Sequence, residues 1–520
     1  MTELDAQAQM VDHTYVGAID RARIQLREQT SELSGLLENT ALAARIAPAM
    51  LGGDGPRSYF MGFQTNAEAR GTGGLMGGFA ILRAEDGAVR VDDVASNREL
   101  RLDYAPIDLG PDFTRLYGPS RPTQDFRNSN VSSHFPYAAR IWQSIWKQES
   151  GESVDGGVIA TDPVALSYVL DVVGAVTMPD GEKITAENVV ELTGSTAYAR
   201  FGDDQKARKE YLETIARKVV VKLTGDIDRP RALLEALGRA ASEGRLAVWS
   251  SHGDEQEVLA TTALGHSVPE DPAPYAGVVV NNLGGNKLDY FLERGIDYTA
   301  GSCVGQTRTS TVTIRLSNTL PSGEHTAYVA GMFDNPMGAP VGTNLTDVSL
   351  LATQGARLER VTVGGRPAFA LTGKELGGHP VFGVQLPVPQ GATVEVVYEL
   401  TEPVVGGRGT GPGAAAHRRS DGDRFRTGLR VEHSSRPSVP DLRQEAGHAR
   451  RSGRYATAGR RARTGAALRR TQSSMRFSMS DHICSVSAFF TVASSITDFL
   501  TASISRSRAP TVASTVPGSS

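Results

Sequence analysis

Cysteine is almost missing from this sequence: 520 residues contain two, Cys303 and Cys484, far apart and in unlike surroundings. That spacing excludes a disulfide framework and a Cys-x-x-Cys metal site. No apolar run approaches the roughly 18–20 residues of a membrane span, and the first thirty residues are too polar for a signal peptide. As written, the chain is expected to be soluble and untargeted, an expectation tied to Met1 being the true start. Familiar catalytic signatures are absent too: there is no Gly-x-Ser-x-Gly elbow, no His-Glu-x-x-His and no Gly-Lys-Ser/Thr ending of a phosphate loop. Lysine vanishes from Arg408 onward, where about nineteen arginines face about seven acids, so the formal net charge of −4 hides an acidic body and a basic tail.

What is present suffices for two or three domains with full cores. Residues 1–50 place Ile19, Ile24, Leu26, Leu33, Leu37 and Ile46 at three- and four-residue spacings, which predicts one or two amphipathic helices. "LGGDGPR" then punctuates the chain. Strands are expected at 58–64, 75–83 and 88–95, a helix at 134–148, a buried strand in "DGGVIATD" and a helix in "PVALSYVLDVVG", with Pro163 in its first turn and Gly174 at its end. Trp142 and Trp146, four apart, read as core. Further helical patterns cover 185–192, 206–223, 229–243 and 254–263. This alternation makes 51–299 an α/β domain with a mixed sheet flanked by helices. Residues 300–403, with "STVTIRLSN", "TDVSLLAT" and "ATVEVVYELTEP", read as an antiparallel β domain. The 404–520 segment is low in complexity and reads either as a disordered basic tail or, preferentially, as out-of-frame translation of a GC-rich gene.

The candidate chemistry gathers around "QTNAEARGTGG", Gln64 to Gly74, between two strands. By itself it is either a glycine-bent connection with Glu68 and Arg70 as a solvated pair, or one side of an anion site. Arg98 after the third strand, Arg200 after a short strand-like segment and Arg208 on the following helix could converge with Arg70 at one sheet edge, where guanidinium forks suit pyrophosphate oxygens. Glu68, Glu99, Asp203 and Asp204 accompany them and could hold Mg²⁺ or take a proton from a hydroxyl. "NNLGGNKLDYFLERGIDY" reads as a junction turn.

"PRSYFMGFQTNAEARGTGGLMGGFAIL", "VDGGVIATDPVALSYVLDVVGAV" and "NNLGGNKLDYFLER" closely resemble the domain-of-unknown-function family 4012, bacterial envelope proteins common in actinobacteria, over about 50–403. The resemblance implies a cell-envelope location and a membrane-spanning N-terminal anchor that this chain does not contain. The motif order is also similar to the LytR-CpsA-Psr family, which transfers glycopolymers from polyprenyl-pyrophosphate carriers to the cell wall. "ARGTGG" matches that family's arginine motif at Arg70, "NRE" its next at Arg98 and Glu99, and "AYARFGDDQKARKEYL" its last at Arg200 and Arg208. Asn66 stands where that family has an acid. The similarity implies a LytR-CpsA-Psr-like fold, with Arg70, Arg98, Arg200 and Arg208 binding pyrophosphate, Glu68, Arg70 and Glu99 acting in catalysis and Glu68 holding Mg²⁺. It also implies a polyprenyl-linked glycopolymer and the cell wall as partners, with no nucleic acid. Two functions follow: a glycopolymer phosphotransferase, or a non-catalytic envelope module that binds lipid-linked glycans or partner proteins, which Asn66 favours.

Overall fold

The computed structural model describes residues 2–10, 17–202, 204–223, 228–333, 335, 337–374 and 376–404. The arginine-rich tail, Cys484 and Asp203 lie outside the described residues. The N-terminal periodicity resolves into helices α1 (Thr2–Gln9) and α2 (Gly17–Met50), and the last turn of α2 sets Ile46, Ala47 and Met50 against the first sheet.

That sheet is mixed. Strands β1 (Arg57–Thr65), β2 (Leu75–Glu85) and β3 (Ala88–Ser96) form an antiparallel meander. The chain returns through helix α3 (Phe135–Ser150) to lay β4 (Gly156–Thr161) parallel to β1, and β5 (Ala247–Ser250) closes the far edge antiparallel to β4. The strand order is thus β3-β2-β1-β4-β5. Side chains alternate across a strand, so Phe60 points to the α3 face while Tyr59 and Met61 point to the α2 face. Trp142 is fully buried on the α3 face, as expected of core, and lies on Gly62, where a Cβ would come within 2.7 Å of the ring. Its indole N–H donates to Ser129 Oγ at 2.8 Å, which meets the one polar demand of the ring.

Helix α4 (Pro163–Val173) starts where its sequence predicts: Asp162 accepts hydrogen bonds from the amides of Val164 and Ala165, and Pro163 occupies the first turn. It shares a third core with α5 (Gln205–Leu223) and α6 (Pro230–Ser242). Between α4 and α5 the local reading fails twice. The predicted helix over 185–192 contracts to Val189–Glu191 and a π-turn at Leu192–Thr196, and the strand-like segment before Arg200 is the helix Ala197–Phe201. A short apolar run does not choose between helix and strand by itself. Here packing chooses: Gly194 meets the Tyr290 ring so closely that a Cβ would lie 2.6 Å from it.

The C-terminal part is a pair of antiparallel sheets. Strands β6 (Ala276–Asn282), β7 (Leu292–Val304), β8 (Thr307–Asn318), β9 (Asn344–Ala352), β10 (Arg357–Val363), β11 (Pro380–Val388) and β12 (Thr393–Pro403) supply them. One sheet runs Leu371–Lys374, β11, β9, β6; the other runs Arg366–Pro367, β10, β12, β8, β7. Val280, Val348, Leu350 and Val384 from one meet Val312, Ile314, Val396 and Leu400 from the other in a single core. The antiparallel pairing therefore takes in β6 and the first half of β7, ahead of residue 300. β6 is buried along its whole length, so its "VVV" run lacks the alternation that marks a half-exposed strand. Among the described residues no helix is long and apolar enough to cross a membrane.

Candidate functional site

Both parallel strands, β1 and β4, end at the same side of the mixed sheet. In an open α/β sheet the crevice beyond those carboxyl ends is where ligands bind. A cavity of about 210 Å³ occupies that place here. One wall is the sheet margin: Phe63 to Thr65 of β1, Leu75 and Gly77 of β2, Val94 to Ser96 of β3, with Asn97 beyond. A register shift in the β1/β2 pairing between Phe63 and Gln64 re-aims the last residues of β1. The opposite wall is α5, which contributes Arg208, Lys209, Leu212, Glu213 and Ile215, and Leu166 of α4 adds to the apolar lining.

The polar end is cationic. Arg208 is 2% exposed; its guanidinium lies 4.2 Å from the Tyr328 ring centroid and 5.1 Å from that of Tyr198, and it donates to Gly202 O at 2.9 Å. No carboxylate pairs with it among the described residues. The two tyrosine rings stack at 5.6 Å, and Lys287 Nζ sits 5.2 Å from Tyr328 and 6.0 Å from Tyr198. Lys209 Nζ donates to Asn97 Oδ1 at 3.0 Å and to Ser96 Oγ. Burial, then the neighbouring Arg98 charge, pulls the Lys209 ammonium down to about 8. Burial raises the Tyr198 phenol, which keeps it neutral.

Glu68 and Arg70 are indeed paired, at 3.0 Å, but the pair is buried rather than solvated, each side chain 7% exposed. The second Glu68 oxygen accepts from Lys287. Burial works to raise the Glu68 carboxyl, yet the charges of Lys287 and Arg70 outweigh it and hold it below the usual range. Burial likewise works against the Lys287 ammonium, and Glu68 overcomes it, leaving that group above its ordinary value. Arg70 is otherwise spent on carbonyls: Ala69 at 2.8 Å, Arg127 at 3.0 Å and Asn282 at 3.3 Å. Asp289 accepts from the Ala69 amide at 3.0 Å and from the Asn282 and Asn344 amides, so the Gln64–Gly74 loop is welded to the "NNLGGNKLD" turn.

Of the four arginines read together from the sequence, Arg208 alone lines the cavity. Arg98 is exposed and donates to Gln205 at the start of α5, and Glu99 beside it is exposed. Arg200 faces outward in a two-pronged pair with Glu182 at 2.8 and 2.9 Å, its guanidinium over Tyr211. Asn66 donates to Asp162 at 3.4 Å. Among the described residues no group of three or more His, Cys, Asp or Glu side chains gathers as a metal site. Sequence reasoning missed Lys209, Lys287, Tyr198 and Tyr328. The one sequence signal for them is the "AYARFGDDQKARK" spacing, which sets Tyr198, Arg208 and Lys209 on consecutive helices.

No curated protein matches the chain. Among solved structures, one similar chain is a Legionella pneumophila protein provisionally described as nutrient-binding: it shares 10% identity, with a TM-score of 0.16 over 25% of this chain and 43% of that one. The chain thus spans less than half the length of that protein, and a likeness so slight carries no argument. The family model described as "Protein of unknown function (DUF4012)" matches residues 54–198. That interval holds β1 to β4, α3, α4 and the sheet wall of the cleft.

Proposed function

We propose that the chain is a non-catalytic module that binds an amphiphile with an anionic head, of the polyprenyl phosphate or pyrophosphate class that carries glycopolymers in a cell envelope. The observation that carries this is Arg208, a guanidinium 2% exposed, without a carboxylate partner among the described residues, at the end of an apolar-walled cleft. An uncompensated buried charge costs several kcal/mol, and an anion that accepts charge-assisted hydrogen bonds from it removes that cost. Lys209 and Lys287 line the same cleft, and Phe63, Leu75, Val94 and Leu212 offer an apolar chain its surface.

Binding is favoured over phosphotransfer by the state of Glu68. Each of its oxygens accepts from a buried cation, and those charges hold its carboxyl below the usual range, so it is no poised base. The residues around it, two cations and backbone carbonyls held by Arg70, do not fit a divalent cation. Arg70 in this reading positions Lys287 through Glu68 and does not touch the ligand.

The test is binding of fluorescent polyprenyl phosphate to the full chain, with a neutral polyprenol as control. Arg208→Met is expected to weaken the phosphate at least tenfold while leaving the neutral lipid unchanged. Equal affinity for the two lipids, or an Arg208→Met variant that binds phosphate as tightly as the parent, would overturn the reading. Mg²⁺-dependent transfer of a glycan to peptidoglycan by the same preparation would favour the phosphotransferase instead.

A further inference from the structure

A second cavity, of about 220 Å³, lies across the partition made by Gln64 and Asp162, both of which line each cavity. Its character is different. The glycine loop 71–73 borders it with Thr72, and Ser133, Arg245 and His266 reach it from three other segments, while Asn66 enters from the end of β1. Its apolar lining is of small and medium side chains, Ala241, Ala263, Val278 and Val279.

Its charges are all paired, Glu243 also with Arg239 outside the cavity. Arg245 is 6% exposed and pairs with Asp162, itself 6% exposed, and with Glu243 at 2.7 Å. An anion entering would meet two carboxylates, and a cation would meet a guanidinium already placed between them. Three neutral groups remain unspent. The Asn66 carbonyl oxygen, the Ser133 hydroxyl and the His266 ring have no hydrogen-bond partner among the described residues, though each residue lines the cavity. Ser133 is 7% exposed, so the cavity is what its hydroxyl faces.

The imidazole is held with some effort. His266 adopts φ 40 and ψ 47, a left-handed conformation uncommon for a side chain other than glycine or asparagine. Its ring rests on Gly244, at φ 69, where a Cβ would come within 2.5 Å of the ring. Strain of this kind persists when the surroundings over-determine it, and it collects at ligand sites.

From this geometry we infer a second ligand site, separate from the amphiphile cleft, that takes a neutral hydroxyl-rich molecule of monosaccharide size. Sugars present alternating donors and acceptors, which an amide oxygen, a hydroxyl and an imidazole answer. A ligand that satisfies these cavity-lining groups is discriminated from one that does not.

Saturation-transfer NMR on the full chain tests this with glucose, galactose and N-acetylglucosamine as probes. At least one sugar is expected to receive saturation from the parent protein. Asn66→Leu is expected to weaken that sugar roughly tenfold, the loss of about one buried hydrogen bond. A second variant, His266→Gly, relieves the left-handed strain and keeps the fold while removing the ring, and it is expected to weaken the sugar similarly. Arg208→Met is expected to leave sugar binding unchanged, which separates this site from the amphiphile cleft. No transfer to any of the three sugars, transfer insensitive to both variants, or competition by inorganic phosphate would each overturn the inference.

Discussion

Glu68→Gln is the substitution on which the reading of this protein turns. Glutamine keeps the shape of the side chain and one acceptor oxygen, but it leaves Arg70 and Lys287, 7% and 5% exposed, without an anion. Removing one partner of a buried ion pair costs about 3–5 kcal/mol, and here one carboxylate serves two cations, which argues for the upper part of that range. With a urea m-value of about 3 kcal/mol/M, the midpoint of unfolding is expected to fall by roughly 1.3–1.7 M. Lys287→Met added to Glu68→Gln removes one orphaned cation, so the double variant is expected to cost less than the sum of the singles by more than about 0.5 kcal/mol. The assay is equilibrium urea unfolding followed by tryptophan fluorescence, since Trp142 and Trp249 are both buried. A Glu68→Gln protein with parental midpoint and slope would refute the structural role. If that same protein had lost polyprenyl phosphate binding, Glu68 would return as a functional group.

Two further outcomes depend on pH. Asp347 on β9 is half-buried, and burial pushes its carboxyl up to about 6. The folded state therefore holds that proton more tightly than the unfolded chain, so stability present below the ordinary carboxylate range is lost as pH rises through 6. Asp347→Asn is expected to stabilise the protein by up to about 3 kcal/mol at pH 7, at roughly 1.4 kcal/mol per pH unit, and to change little at pH 3.5; equal effects at both pH values in urea unfolding would contradict this. Lys209, held down to about 8, carries its charge below that pH and loses it above. Affinity for polyprenyl phosphate is expected to decline between pH 7 and 9, and the decline is expected to vanish in Lys209→Met; a slope that survives the substitution would assign it to another group.

Much of the fold was legible locally. Asp162, Pro163 and Gly174 bracket α4 as a cap, a first-turn proline and a terminator should, and the alternation in β8, β9 and β12 predicts the strands observed. The failures at 185–192 and 197–201 lie in short segments, and between them Gly194 packs on Tyr290, almost a hundred residues later. The candidate site was legible only in part. Arg208 was found because it sits in a recognisable motif; Lys287 and Tyr328 were not, because nothing near them in sequence marks a ligand.

The sequence by itself determined where most strands and helices start, because capping, turn chemistry and hydrophobic period act over a few residues. It also determined that a polar glycine knot follows β1. Tertiary structure alone decided what that knot does. Glu68 and Arg70 look the same in the sequence whether solvated or buried, and their role was set by Lys287, more than two hundred residues away. A charge takes its meaning from the partners and the dielectric around it, and both are products of long-range packing.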